Sequence, residues 1–313
     1  MSLARAIEIA AAAGRRAYPK PTVGAVVVAD GDVVAEGVTE KDGRHAEVVA
    51  LDAAGSAARG STMFVTLEPC SHHGTTPPCT DRIVAGGVAR VVVGARDPNP
   101  EAAGGLERLR GAGVEVDFVD AWEARVLEEA WRVWVSRGRP FVVYKVAASL
   151  DGKVTVPGRR WVSGGESRRL VHELRAASDA VAVGMGTVRA DAPRLDARDV
   201  ETPRGQPRRL AFGQGPLPAG SELELHSGPL DEELSALAAE GVQSVLLEGG
   251  PTLAGAFAEA GLLDKLLLFV APVAAGGDGP PILPRLRSPL DLSHLSARLV
   301  GEDVLLQAYF QEP

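Results

Sequence analysis

The chain has 313 residues, 45% hydrophobic and 24% charged, which is the balance of a soluble globular protein long enough for two domains with ordinary cores. Its net charge of -8 argues against nucleic acid as a partner, while leaving room for a local basic pocket that takes a small phosphorylated molecule. Two cysteines in a chain of this size make no disulfide framework, so a cytoplasmic location is the expectation.

Residues 2–14 have the period of an amphipathic helix, and Arg5 and Glu8 interrupt the apolar run, so this is neither a signal peptide nor a membrane span. Strand patterns follow at 23–28 and 33–36, then a helix at 45–58 and a strand at 62–67. A helix at 79–85, a strand at 90–94, a helix at 101–110, a strand at 114–118 and a helix at 122–135 complete the first half. The turn-rich joint Ser136-Arg137-Gly138-Arg139-Pro140 sets a domain boundary, giving domains 1–138 and 139–313. Beyond it, strands are expected at 141–146, 180–183, 208–212, 244–247 and 265–270, with helices at 166–175, 231–240 and 252–260. Residues 192–230 and 272–298 are rich in Pro, Gly and Ser and read as loops. Alternation of this kind implies layered α/β domains, and no internal repeat is present.

Chemistry concentrates in the first half. His45-Ala46-Glu47 opens a predicted helix, strand 62–67 runs into Glu68-Pro69-Cys70, and Cys79 begins the next helix after Pro77-Pro78. One imidazole and two thiolates supply three zinc ligands and leave the fourth tetrahedral position open, as in catalytic sites. Helix N-termini favour the thiolate form of cysteine. Zinc at His45, Cys70 and Cys79 would lower the pKa of a water enough to make a hydroxide, with Glu47 as the uncoordinated proton carrier. The competing readings are two buried cysteines with an incidental histidine, and a structural zinc closed by His72 or His73.

The order H-x-E, then P-C and a second Cys resembles the zinc nucleobase deaminases. The wide Cys70–Cys79 loop, with Ser71-His72-His73-Gly74 and Thr76-Pro77-Pro78 inside it, resembles one branch, the bifunctional riboflavin-biosynthesis deaminase–reductases. Pro21–Val28, Asp97-Pro98-Asn99-Pro100 and Ala112–Val116 extend the likeness. It implies a three-layer cytidine-deaminase-like domain acting on a diaminopyrimidinone that carries a 5-phosphoribosylamino group, with Ser71, His72 and Asn99 near the substrate. Two positions depart from the family: Lys20 stands where Asn is usual, and Thr75 where a basic residue is usual.

In the second half the residues alone give one weak signal, Glu248-Gly249-Gly250-Pro251-Thr252, a Gly-rich turn at a helix start that suits a phosphate. It is not the G-x-G-x-x-G fingerprint, so a Rossmann site is not supported. The stretch Lys145–Lys153, Trp161-Val162-Ser163, Leu174-Arg175-Ala176, Gly184–Leu195, Arg198 and Glu248-Gly249-Gly250 follow the order of the same family's reductase domain. That resemblance implies a dihydrofolate-reductase-like fold using NADPH to turn the ribosyl group into ribityl. It places Ala147, Trp161, Thr187, Asp191 and the run Gly250, Pro251, Thr252, Leu253, Ala254, Gly255 and Ala256 at the cofactor. Arg159, Arg175, Leu195, Arg198 and Glu248 are placed at the phosphorylated substrate, where arginine suits phosphate by its bidentate donors. After Phe212 the family has an aspartate, whereas this chain has Gly213-Gln214-Gly215, and the stretch on to Leu234 looks shortened by a strand.

The alternatives are a deaminase with a degenerate reductase half, a deaminase of nucleic acid or nucleosides, and a zinc-stabilised binding module. The expected partners are a small phosphorylated pyrimidine and, by resemblance, further copies of the chain in a dimer or tetramer built through the reductase domains, with no nucleic acid and no membrane.

Overall fold

A computed structural model describes residues 2–73, 77–284 and 286–313. The chain divides into two compact units, Met1–Arg137 with Pro313, and Gly138–Glu312. Among the described residues, no helix is long and apolar enough to cross a membrane.

Unit one contains α1 (Ser2–Ala13), β1 (Gly24–Ala29), β2 (Asp32–Val38), α2 (Ala46–Ala54), β3 (Thr62–Leu67), α3 (Cys79–Ala85), β4 (Arg90–Ala95), α4 (Gly105–Gly111), β5 (Glu115–Phe118), α5 (Trp122–Leu127) and α6 (Glu129–Arg137). A 3-10 turn at Gly55–Ala58 ends the second expected helix early. The sheet runs β2-β1-β3-β4-β5, antiparallel across β2, β1 and β3 and parallel from β3 to β5. Asp30 and Gly31, both at positive φ, supply the two-residue turn whose twist suits the β1–β2 hairpin.

Two glycines explain the three layers. A Cβ at Gly24 would lie 2.1 Å from Ala6 O, and one at Gly37 would lie 2.3 Å from Ala46 O. Gly37 is paired with Ala25, the next residue after Gly24, so the two glycines face opposite sides of the sheet. Helix α1 is therefore seated on one face and α2 on the other. The core beneath α2 is built from the strand residues Val27, Met63, Val65, Val91 and Val93 with Leu106 and Leu109.

The expected helix 122–135 is two helices, broken at Glu128 (φ -123, ψ 33). The Glu128 carboxylate accepts the Thr22 backbone N–H at 2.8 Å. Burial pushes its pKa from 4.5 up to about 7. The folded state thus binds this proton more tightly than the unfolded chain. Its stabilising contribution is complete below pH 4.5 and is lost as pH rises through 7. Glu128→Gln keeps the acceptor and removes the charge, so it should raise stability at pH 8 by about 1–3 kcal/mol and leave pH 4 stability nearly unchanged. Denaturant titrations at the two pH values check this; equal changes at both would contradict the burial argument.

Unit two contains β6 (Phe141–Ser149), α7 (Gly165–Ala177), β7 (Ala180–Gly184), α8 (Met185–Asp191), β8 (Arg208–Phe212), β9 (Glu224–His226), α9 (Leu230–Ala239), β10 (Ser244–Leu247), α10 (Pro251–Glu259), β11 (Lys265–Ala271), β12 (Ser293–Val300) and β13 (Asp303–Tyr309). Eight strands are ordered β12-β13-β11-β6-β10-β7-β8-β9, parallel from β11 to β9, with β13 and β12 added antiparallel. The buried runs of β7 and β10 need both faces covered, as parallel strands do. Asp264 fixes the start of β6: it accepts two hydrogen bonds from Arg139, at 2.7 and 2.8 Å, and one from Val142 N.

Four elements here lie outside the expected pattern: α8, β9, β12 and β13. Helix α8 has only seven residues, too few for a helical period to register. Strand β9 lies within the stretch read as loop and has three residues. Strand β12, which begins inside the other expected loop, is exposed along nearly its whole length and shows no alternation. Pairing with β13, and not burial, makes it a strand.

Candidate active sites

In unit one the β3–α3 connection and the start of α2 meet. His45 is the N-cap of α2 and Glu47 lies in its first turn. Cys79 opens α3, and its backbone N–H donates to Cys70 Sγ at 3.3 Å. His45 Nδ1 lies 3.1 Å from Cys79 Sγ and 3.7 Å from Cys70 Sγ. All three donor atoms fall within 4.8 Å of one another. Tetrahedral zinc with Zn–S of about 2.3 Å and Zn–N of about 2.0 Å sets its ligands about 3.5–3.8 Å apart, so this set fits zinc with little movement.

The protonation pattern agrees. A hydrogen bond from the Cys79 thiol, with the His45 ring also beside it, overcomes burial and brings Cys70 down to about 4. Cys79, sharing that proton and buried, is driven up. A thiolate–thiol pair beside an imidazole is a donor set for a soft cation. Glu47 is 4% exposed, and burial raises its pKa against the opposing pull of His45. Its carboxyl neighbours the Cys79 thiol and is felt by His45 and Cys70. Glu47 therefore stands beside all three donors without being one of them.

A cavity of about 450 Å³ opens over this cluster. His45, Glu47, Cys70, His72 and Asn99 line it, and so does Lys20. Ser71 is not among the lining residues; its hydroxyl donates to Ala103 O at 2.6 Å. Thr75 lies outside the described residues.

Three features of this cavity were not singled out from the sequence. Trp131 and Trp134 of α6 form an aromatic wall. Asp97 also lines the cavity, and burial pushes its carboxyl up to about 6. Glu68 is buried and accepts from Asp97 N at 3.3 Å, Gly104 N at 3.1 Å and Leu106 N at 3.1 Å. It ties the Cys70 turn to the Asp97–Asn99 loop and to α4. A Cβ at Gly105 would lie 1.9 Å from Pro69 O, so α4 seats directly on the turn that carries Cys70. Only the position of Glu68, immediately before Pro-Cys, hinted at this role.

In unit two a second cluster joins the middle of β6, the end of β10 and helix α7. Glu248, next after β10, accepts a bidentate pair from Arg175, Nε to Oε1 at 2.6 Å and Nη2 to Oε2 at 3.0 Å. Lys145 Nζ lies 3.7 Å from Glu248 Oε2. Burial opposes ionisation of Glu248, but Lys145 and Arg175 outweigh it and hold its carboxyl below the ordinary range. Burial lowers Lys145 in turn. Sequence reading had Arg175 and Glu248 at this site and took Lys145 only as part of a strand; its isolation in an apolar β6 was the available signal.

The other expected residues divide. Arg175 also donates to Asp196 O at 3.0 Å, and Arg198 and Arg194 pair with Asp196 at 3.3 and 3.0 Å, so Arg198 joins the cluster through that loop. Leu195 is buried in a core cluster at φ 55, a left-handed conformation that costs a non-glycine residue about 1–2 kcal/mol. Arg159 is exposed, as is Trp161 at 56%, with the Arg160 and Arg168 guanidiniums within 5.8 Å of its ring. Ala147, on β6, packs against the Phe269 cluster. Gly250 is the N-cap of α10, with Pro251 next. A Cβ at Gly250 would lie 3.6 Å from Thr187 Oγ1, and one at Gly184 would lie 3.4 Å from Leu253, so bare backbone of two helix starts meets here. That cradle fits the pyrophosphate of a dinucleotide. Thr252 and Ala256 are exposed, whereas Ala254 and Gly255 are buried, Ala254 within the core. Asp191 ends α8 and is exposed.

Comparison with known proteins gives the same division. The model of the cytidine and deoxycytidylate deaminase zinc-binding region matches residues 2–95, and that of the RibD C-terminal domain matches 140–216 and 225–306. Riboflavin biosynthesis protein RibD of Aquifex aeolicus is 40% identical over 83% of each chain. That of Escherichia coli K12 is 36% identical over 97% of each. That of Mycobacterium tuberculosis is 39% identical over 92% of this chain and 91% of the other. The solved structure of Acinetobacter baumannii RibD, form 1, superposes with a TM-score of 0.82 at 32% identity, covering 98% of this chain and 97% of that one. A Thermotoga maritima diaminohydroxyphosphoribosylaminopyrimidine deaminase/5-amino-6-(5-phosphoribosylamino)uracil reductase does so at 0.81, with the same identity and coverage.

Proposed function

This chain belongs to the RibD family of bifunctional riboflavin-biosynthesis enzymes, and from that premise we propose how its residues divide two successive reactions. Residues 1–138 would carry the zinc-dependent deaminase and 139–313 the NADPH-dependent reductase. The first step replaces the ring amino group of 2,5-diamino-6-(5-phosphoribosylamino)pyrimidin-4-one by oxygen and releases ammonia. The second converts the ribosyl group of the product to ribityl.

His45, Cys70 and Cys79 would hold zinc, which supplies the Lewis acidity that makes water a nucleophile near neutral pH. Glu47 takes the water's proton and returns it to the departing amino group. Its burial suits this work, because a carboxyl raised toward neutrality both accepts and gives a proton readily. Trp131 and Trp134 offer the pyrimidine ring a stacking wall, while His72 and Asn99 offer polar contacts to its edge. The observation that carries this reading is the convergence of three donors with an unligated, buried Glu47 beside them.

In the reductase half NADPH supplies a hydride. The helix starts at Gly250 and Gly184 would receive its phosphates. Arg175 and Arg198, steadied by Glu248 and Asp196, would hold the phosphorylated substrate. Reduction of the ribosyl carbon breaks its bond to the ring oxygen, which must take a proton. Lys145, a buried ammonium with a lowered pKa, is the acid that Glu248 positions for that transfer.

A homo-oligomer, dimer or tetramer, is supported by β12, an edge strand with Leu295 and Leu299 exposed at 70% and 73%. Sedimentation should give a dimer or larger, and the pair Leu295→Lys with Leu299→Lys should give a monomer; wild type sedimenting as a monomer would refute it. The free Cys70 and Cys79 suit the reducing cytoplasm, which cell fractionation would check. The functional reading as a whole is tested by mass spectrometry of the diamino substrate incubated with zinc-loaded protein: loss of the amino group is expected, and an unaltered substrate would sink it.

A further inference from the structure

The geometry points to Arg189 as the residue that separates NADPH from NADH, by receiving the 2′-phosphate on the adenosine ribose. The inference rests on the reductase reading above and adds to it the residue that makes the choice.

In an open parallel sheet a ligand lies across the carboxyl ends of the strands. Strands β10, β7 and β8 are consecutive neighbours, spaced about 4.8 Å apart. Gly250, after β10, faces Thr187 on α8. Gly213, the first residue beyond β8, lies against Met185 at the start of the same helix, where its Cβ would meet that side chain at 3.2 Å. With the Lys145–Glu248 cluster lying on the β6 side of β10, a pyrophosphate seated at Gly250 would send the adenosine ribose the other way, toward Gly213-Gln214-Gly215, one to two strand spacings off.

An arginine beside that ribose can accept the extra phosphate of NADPH, which NADH lacks. The turn carries no acidic side chain. Gly213 at φ 131 and Gly215 at φ 99 hold backbone that glycine alone adopts readily. Arg189 lies across it, with Nη2 donating to Gln214 O at 2.6 Å. A Cβ at Gly215 would lie 2.7 Å from that same nitrogen, so the missing side chain makes room for the guanidinium. Gln214 is itself fixed, its amide donating to Ser227 O at 2.7 Å.

The contact with Gln214 uses one of five donors on an exposed guanidinium. Nearby arginines are neutralised: Arg194 pairs with Asp196, Arg209 with Glu222, and Arg208 with Glu224 and Glu240. Among the described residues no carboxylate pairs with Arg189. Asp191, two residues on, points about 200° round the helix from it. Arg189 is thus a cation with spare donors at the place where the two cofactors differ.

Equilibrium titration of the zinc-loaded full chain with NADPH and with NADH, followed by fluorescence, tests this without turnover. Wild type should prefer NADPH. Arg189→Ala should weaken NADPH by about 10–100-fold, the range for a lost charge-assisted contact, while NADH affinity changes less than about threefold. Arg189→Lys should fall between, because it keeps the charge and loses the fork. Adenosine 2′,5′-bisphosphate should displace NADPH from wild type and bind Arg189→Ala poorly. An unchanged NADPH-to-NADH ratio, or an equal loss for both, overturns the proposal. If wild type binds neither cofactor, the reductase reading itself fails and this assignment falls with it.

Discussion

Glu47→Gln should slow ammonia release by about 10³–10⁴-fold, near the upper range for losing a positioned acid–base group, while bound zinc stays at one per chain. Glutamine has nearly the same shape, so His45, Cys70 and Cys79 keep their places. What disappears is the group able to carry a proton from the attacking water to the departing nitrogen. A purely structural role makes the opposite forecast for stability. Glu47 is buried, and burial disfavours its charged form, so the neutral amide should leave the melting temperature unchanged or raised. Loss of zinc together with activity would instead make Glu47 part of the metal's support, and full activity would remove it from the reaction.

The second large effect is expected at Glu248. It is the shared counter-charge of Lys145 and Arg175, both largely buried. Glu248→Gln leaves those cations uncompensated, a change that costs about 3–5 kcal/mol where the site is dry. Lys145, already lowered by burial, should fall further and lose its proton. NADPH oxidation with the deaminated substrate should drop at least about 100-fold, with its pH optimum moved toward acid. Ammonia release should persist, because unit one has its own core around Met63, Val65 and Leu106. Glu248→Asp, which restores the charge, should recover part of the loss; failure of both, with ammonia release also lost, would mean the substitution unfolds the chain and not the site.

Much of unit one was readable because its chemistry is local. His45, Glu47, Cys70 and Cys79 each sit at the start of a helix or just after a strand, and residues of that type in that order leave few alternatives. Glu68 and the Trp131–Trp134 wall were not readable, because they act across long sequence separations: Glu68 reaches Leu106, and α6 meets a cavity built from residues far earlier in the chain. In unit two the strands of the buried parallel sheet were legible as apolar runs. Helix α8 and strands β9, β12 and β13 were not, α8 and β9 being too short and β12 too exposed to carry a period. The partnership of Lys145 with Glu248 was hidden for the same reason as Glu68: a strand pattern tells which residues are buried, not which distant charge meets them. Arg189 carries no signal of its own in the sequence, and only the neighbouring glycine turn gives it a place.

The most direct measurement follows ammonia and NADPH together in one reaction of zinc-loaded protein with the diamino substrate. One ammonia should appear for each NADPH oxidised, with ammonia leading. Glu47→Gln should stop both signals, and adding the deaminated pyrimidine should restore NADPH oxidation alone. Oxidation of NADPH by Glu47→Gln protein given only the diamino substrate would contradict the order of the two steps, and ammonia release with no NADPH oxidation at any stage would contradict a working reductase.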